Sequence, residues 1–154
     1  MKRLAFLLPV ALLIAGFAAG CGGGSDDSDS GSSDAAAKTA FITKADDLCA
    51  TSNKQIQVAV TKELGNKKPT KAIIISITRD SIVPGLEAQL KQLKALEPPS
   101  GDNAELDTFL SAFSDDIQNI KKNPSSAVSG NPMESSTNAA KNYGFDNCGS
   151  FGTA

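Results

Sequence analysis

Cysteine has the widest chemical range of any side chain in this 154-residue sequence, and it occurs three times, at Cys21, Cys49 and Cys148. A thiol can take a lipid, join a second thiol, bind metal or act as a nucleophile. The last two uses commonly enlist histidine, and the sequence contains none. Triads built on imidazole and histidine-containing zinc sites are therefore excluded, and the general base most used near neutral pH is missing.

Carboxylates are the next candidates. Asp46-Asp47 and Asp115-Asp116 are adjacent pairs, but neighbours on a helix point about 100° apart, so neither makes a shared-proton dyad or a metal clamp. Both are expected on solvated faces. Asp80, beside Arg79, falls on an apolar stripe one turn before Pro84; the expectation is a rim residue paired with a lysine, the alternative a polar spot inside the fold. Asp26 to Gly31 puts Asp first and Gly sixth, as in a calcium loop, yet Ser28, Ser30 and Ala37 stand at positions three, five and twelve, which rejects that reading. Gly22-Gly23-Gly24 makes no phosphate loop, because the sequence predicts neither strand before it nor helix after it. No catalytic residue, metal site or cofactor is expected.

The residues before Cys21 give it a context. Met1-Lys2-Arg3 is a short positive segment, and Leu4 to Ala19 is an apolar run interrupted only by Pro9 and Gly16. That is the anatomy of a secretory signal. The run is shorter than the roughly 20 residues a membrane-spanning helix needs, so residues 1–20 are expected to be removed. Ala18-Ala19-Gly20-Cys21 resembles the lipobox of bacterial lipoproteins, with Ala18 where the family usually has Leu. The resemblance implies that Cys21 becomes the new N-terminus and carries diacylglycerol, which places the protein on the extracytoplasmic face of the cell membrane. An ordinary small-x-small site at Gly16-Phe17-Ala18 is the alternative, and it would leave Cys21 a free thiol.

If Cys21 is acylated, the odd cysteine count is resolved, and Cys49 and Cys148 can pair in an oxidising compartment. They are too far apart in sequence for a close redox motif. A disulfide between them is predicted, two buried thiols or a catalytic pair being the alternatives.

The elements that must position these residues follow from the pattern. Gly22 to Ala37 is Gly, Ser, Asp and Ala, with four acids and no base. Residues 21–37 are thus expected to be the lipidated cysteine and a disordered linker spanning on the order of 20 to 25 Å. Residues 38–154 suit one small domain. They hold 13 Lys plus Arg and 13 Asp plus Glu, a balance that offers nucleic acid no basic field.

Within that domain the apolar period is helical. Phe41, Ala45, Leu48, Ser52, Ile56 and Ala59 share a face, predicting a helix from about Thr39 to Leu64 that Gly65 closes. Ile73, Ile77, Asp80, Val83, Leu86, Leu90 and Leu93 mark a second, kinked at Pro84. Its β-branched start, Ile73-Ile74-Ile75, would suit a strand but would have no partner. Leu106, Phe109, Leu110, Phe113, Ile117 and Ile120 mark a third, with Asp102 and Glu105 as its capping box. Asn131-Pro132-Met133-Glu134 opens a short fourth, ending near Gly144. Short connections favour antiparallel neighbours, so the fold expected is an all-α, antiparallel bundle of about four helices with one disulfide.

Tyr143-Gly144-Phe145-Asp146-Asn147-Cys148-Gly149 resembles the closing motif of small actinobacterial lipoproteins that also carry a cysteine in their first helix, as Cys49 does here. That grouping implies no activity. Read from the residues, Gly144 stops a helix, Phe145 plugs the bundle and Cys148 staples it. The expectation is a non-catalytic, membrane-anchored surface module that binds a cell-envelope component or has a structural role. The alternative is a carrier of a small apolar ligand inside the bundle, and an enzyme is the least expected.

Overall fold

The computed structural model describes residues 30–101 and 103–151. Residues 1–29, on which the signal and lipid-anchor expectations fall, and Asp102 lie outside them. The described residues form helices joined by short turns, with no strand among them. Helix α1 is Ser30–Leu64, α2 is Lys71–Ile77, α3 is Val83–Lys94, α4 is Asn103–Lys122 and α5 is Glu134–Tyr143. A π-helical stretch, Thr78–Ile82, makes α2 and α3 one continuous arm, and a 3₁₀ turn, Pro124–Val128, follows α4.

Cross-helix pairs fix the directions. Glu63 near the end of α1 meets Ser81 in the π-helical stretch of the second arm, and Asp34 near the start of α1 accepts from Ser100 after the arm's end at 3.0 Å. The arm is therefore antiparallel to α1. Lys121 on α4 pairs with Glu87 on α3 at 2.6 Å, and Ser136 on α5 reaches Asp116 on α4. Up, down, up, down is the result: an antiparallel four-helix bundle, the all-α architecture predicted.

Helix α1 begins at Ser30, earlier than the Thr39 expected, so the 30–37 part of the segment read as disordered linker is helical. The cause is partly local, since Ala35-Ala36-Ala37 are the strongest helix formers, and partly tertiary. Asp34 is held by Ser100, and Lys38 pairs with Glu105 at 3.5 Å.

The β-branched run at the start of the second arm is helical too. Thr70 caps it, its Oγ1 accepting the Ile73 N–H at 3.3 Å, and Ile77 is buried. Proline lacks an N–H and its ring collides with the carbonyl four residues back, here that of Asp80. The chain absorbs this in the turn before Pro84. Val83 N–H reaches the Thr78 carbonyl across five residues, a wide register that keeps the arm unbroken. Gly85 then lets α1 and α3 approach closely: a Cβ there would stand 2.9 Å from Ile56 Cδ1 and closer still to Ile56 Cγ1.

The core is aromatic and follows the stripes. Phe41, Ala45 and Cys49 come from α1, Leu86 and Leu93 from α3, and Leu106, Phe109, Phe113, Ile117 and Ile120 from α4. Tyr143 and Phe145 complete it from the end of the chain. Gly144 ends α5 in the left-handed region, φ 105°, where a side chain is strained. Its turn drives Phe145 back into the bundle, 5.1 Å from the Phe109 ring and 4.7 Å from Tyr143. Phe151 closes on Phe113 at 4.7 Å.

Candidate functional site

Cys49 and Cys148 are joined in a disulfide, with their Cα atoms 5.1 Å apart. Both are fully buried. The covalent bond is only part of a larger fastening. One helical turn before Cys49, the Asp46 carboxylate accepts three backbone N–H groups of the tail: Asp146 at 3.0 Å, Asn147 at 2.8 Å and Cys148 at 3.0 Å. One turn after Cys49, Asn53 Nδ2 donates to the Asn147 carbonyl at 3.3 Å. Asp46, Cys49 and Asn53 thus form one line on α1 that grips residues 146–148.

The clamp has a physical necessity. The turn after Gly144 has no ladder of its own, and buried peptide groups without partners cost heavily. A carboxylate has enough lone pairs to satisfy three N–H groups at once. Sequence reasoning placed both acidic pairs on solvated faces, and for one member of each the structure corrects this. Asp46 is 9 % exposed and Asp116 is 7 % exposed. Asp116 Oδ2 accepts the Ser136 N–H at 2.8 Å, so α4 supplies the cap that α5 does not supply for itself. The box expected at Asn131 to Glu134 is replaced: Met133 precedes the first residue of α5 without a side-chain cap, and Asn131 Oδ1 receives the Met133 N–H at 3.3 Å. Their neighbours Asp47 and Asp115 are exposed, as expected.

Asp80 is exposed and accepts from Ser76 Oγ at 2.8 Å. It is a rim residue, with serine rather than lysine as its partner, and Arg79 beside it is exposed. Asp102, read as the cap of α4, lies outside the described residues, and Glu105 turns to Lys38. Among the described residues no group of three or more His, Cys, Asp or Glu is placed to hold a metal ion.

Among the described residues the core holds a glutamine amide without a partner. Gln89 on α3 is fully buried, and neither its Oε1 nor its Nε2 has a hydrogen-bond partner. Leu86 and Leu93 of the expected stripe are buried and Leu90 is half-buried; Gln89, which lies between Leu86 and Leu93 on the same helical face, is turned inward with them. A groove of about 560 Å³ runs between α3 and α4, open to solvent and lined by Leu93, Leu96, Leu106 and Leu110 with Asp107 and Asp115 at its edge.

Asp46 and Asn53 as clamp residues, Gly85 as a contact point and Gln89 as a buried amide all escaped sequence reasoning. For Asp46 a signal existed: it stands one turn from Cys49, so any tail stapled at Cys49 must pass its carboxylate. The arrangement as a whole holds chain together; its carboxylate and its cysteines are committed to each other's neighbours. No described helix is long and apolar enough to cross a membrane. Compared with known proteins, the chain matches no family model, no curated protein and no solved structure.

Proposed function

We propose that this chain is an extracytoplasmic lipoprotein: a non-catalytic helical module held at the cell membrane by lipid on Cys21, where it binds an envelope component or has a structural role. The observation that carries the reading is the junction at Ala18-Ala19-Gly20-Cys21, where an apolar segment behind Lys2-Arg3 meets polar sequence. The disulfide adds support, because it takes Cys49 and Cys148 and leaves Cys21 the odd cysteine. A disulfide suits an oxidising compartment. One buried CH₂ contributes about 0.8 kcal/mol, so two or three long acyl chains on one residue anchor a protein durably.

With α1 starting at Ser30, only residues 22–29 separate the lipid from the bundle. The carrier reading finds less support: the groove between α3 and α4 is open and edged by carboxylates, and aromatic rings fill the bundle axis.

Metabolic labelling with a fatty acid tests the anchor. Label is expected on the wild-type chain and absent from Cys21→Ser, which should shift from the membrane fraction. Label retained in that variant would refute the proposal.

A further inference from the structure

Two exposed helical faces of this chain carry opposite charges at one spacing. The groove between α3 and α4 has a floor of leucines, Leu93, Leu96, Leu106 and Leu110, and Asp107 and Asp115 on its α4 edge. These carboxylates are exposed and stand eight positions apart on one helix, about 12 Å along its axis. Neighbouring acids of α4 are committed within the fold: Glu105 pairs with Lys38, and Asp116 caps α5. Asp107 and Asp115 make no ion pair among the described residues. The second face is on the last part of α1. Val58 is the most exposed large hydrophobic side chain among the described residues, at 61 %. Lys54 stands one helical turn before it and Lys62 one turn after, again eight positions apart. Both lysines are exposed, and neither makes an ion pair among the described residues.

We propose that the groove is the docking site for α1 of a second copy of this chain, with Val58 on the leucine floor and Lys54 and Lys62 at Asp107 and Asp115. The shared spacing carries the assignment, since two ion pairs form together between straight helices only when the charges on each are equally far apart. Lysine suits such an edge. Its alkyl stem lies along apolar surface while the ammonium reaches a carboxylate at the rim, and a groove of about 560 Å³ leaves room for Val58 and both stems. Lys94 lines the α3 edge and repels the incoming lysines toward the α4 edge, which sets the side on which they lie. A helix laid into a groove between two others is a recurrent mode of recognition. Because the lysine face and the groove are different surfaces, each copy offers both, and the contact either occurs twice in a two-fold pair or repeats from copy to copy. One helix face on one groove lies at the small end of interface sizes, below roughly 1,200 Å², where association is weak. Confinement to a membrane would strengthen it by raising the local concentration; that gain, and not the contact itself, rests on the lipid-anchor reading.

Photo-cross-linking of the full-length chain in cells tests the contact. With p-benzoylphenylalanine in place of Val58, irradiation is expected to give a dimer whose cross-linked peptide falls within residues 93–115 of the other copy. The same probe in place of Asn138, exposed on α5, should not give that cross-link. Lys54→Glu with Lys62→Glu sets like charges against the carboxylates and is expected to lower the dimer yield at least about tenfold, as is Asp107→Lys with Asp115→Lys. The chain carrying all four substitutions again opposes unlike charges, and its yield should return to within about twofold of the unsubstituted chain. That recovery also shows that both reversals leave the fold intact. Yields unchanged by either reversal, no recovery in the fourfold variant, or cross-links confined to lipid or to other proteins would overturn the proposal. The fatty-acid label on Cys21 is read separately, so failure of the contact leaves the anchor reading standing, and the reverse.

Discussion

Asp46 and Cys148 meet across the length of the domain: the carboxylate of the first helix accepts the backbone N–H of the tail cysteine at 3.0 Å. One turn further along that helix, Cys49 is bonded to the same Cys148. A noncovalent and a covalent fastening therefore act on one residue, and the tail they hold carries Phe145 and Phe151 into the aromatic core.

Asp46→Ala leaves three N–H groups without their acceptor, one of them on a fully buried residue. Hydrogen bonds to a charged group are individually worth about 1.5–3 kcal/mol, and buried donors left bare carry an added cost. A loss of about 2–4 kcal/mol is expected in urea unfolding with the disulfide intact. Asp46→Asn, with one acceptor oxygen, should fall between. A change under about 0.5 kcal/mol for Asp46→Ala would mean that the disulfide alone holds the tail.

Reduction of Cys49–Cys148 should weaken the fold without releasing the tail. The bridge spans a sequence separation of 99, for which the chain-entropy model gives up to about 4.7 kcal/mol, lowered by residual structure in the unfolded chain. Because Asp46 still holds residues 146–148, their amides should remain protected in hydrogen exchange of the reduced protein. Protection lost there while α4 keeps its own would show that the clamp needs the bridge.

Gly85→Ala sets helix propensity against packing. Alanine gains about 1 kcal/mol in a helix interior, but its Cβ collides with the Ile56 side chain, and overpacking costs about 1–3 kcal/mol. A net loss of about 1 kcal/mol is expected. Combined with Ile56→Ala, the glycine substitution should cost nothing further or turn favourable, a coupling that a double-mutant cycle measures.

Gln89→Met should stabilise the protein. The glutamine amide is buried with both polar atoms unpartnered, and methionine has nearly its shape without the desolvation cost. A gain of about 1–2 kcal/mol in thermal or urea unfolding is expected. A loss of stability would show that the amide has a partner in solution.

The sequence by itself determined the helices and their inward faces, because each stripe repeats at the helical period over many residues: Leu106, Phe109, Phe113, Ile117 and Ile120 are buried as the spacing requires. It also pointed to the stop at Gly144, because glycine readily takes the left-handed conformation that ends a helix, and, on the expectation that Cys21 carries lipid, to the pairing of Cys49 with Cys148. Tertiary structure decided what depends on partners distant in the chain. Whether Asp46 and Asp116 face water or backbone N–H groups is set by where the tail and α5 come to rest, which no local period encodes. The start of α1 at Ser30 is set by Ser100 and Glu105, and the burial of Gln89 by its place between Leu86 and Leu93 on the face of α3 that packs into the core.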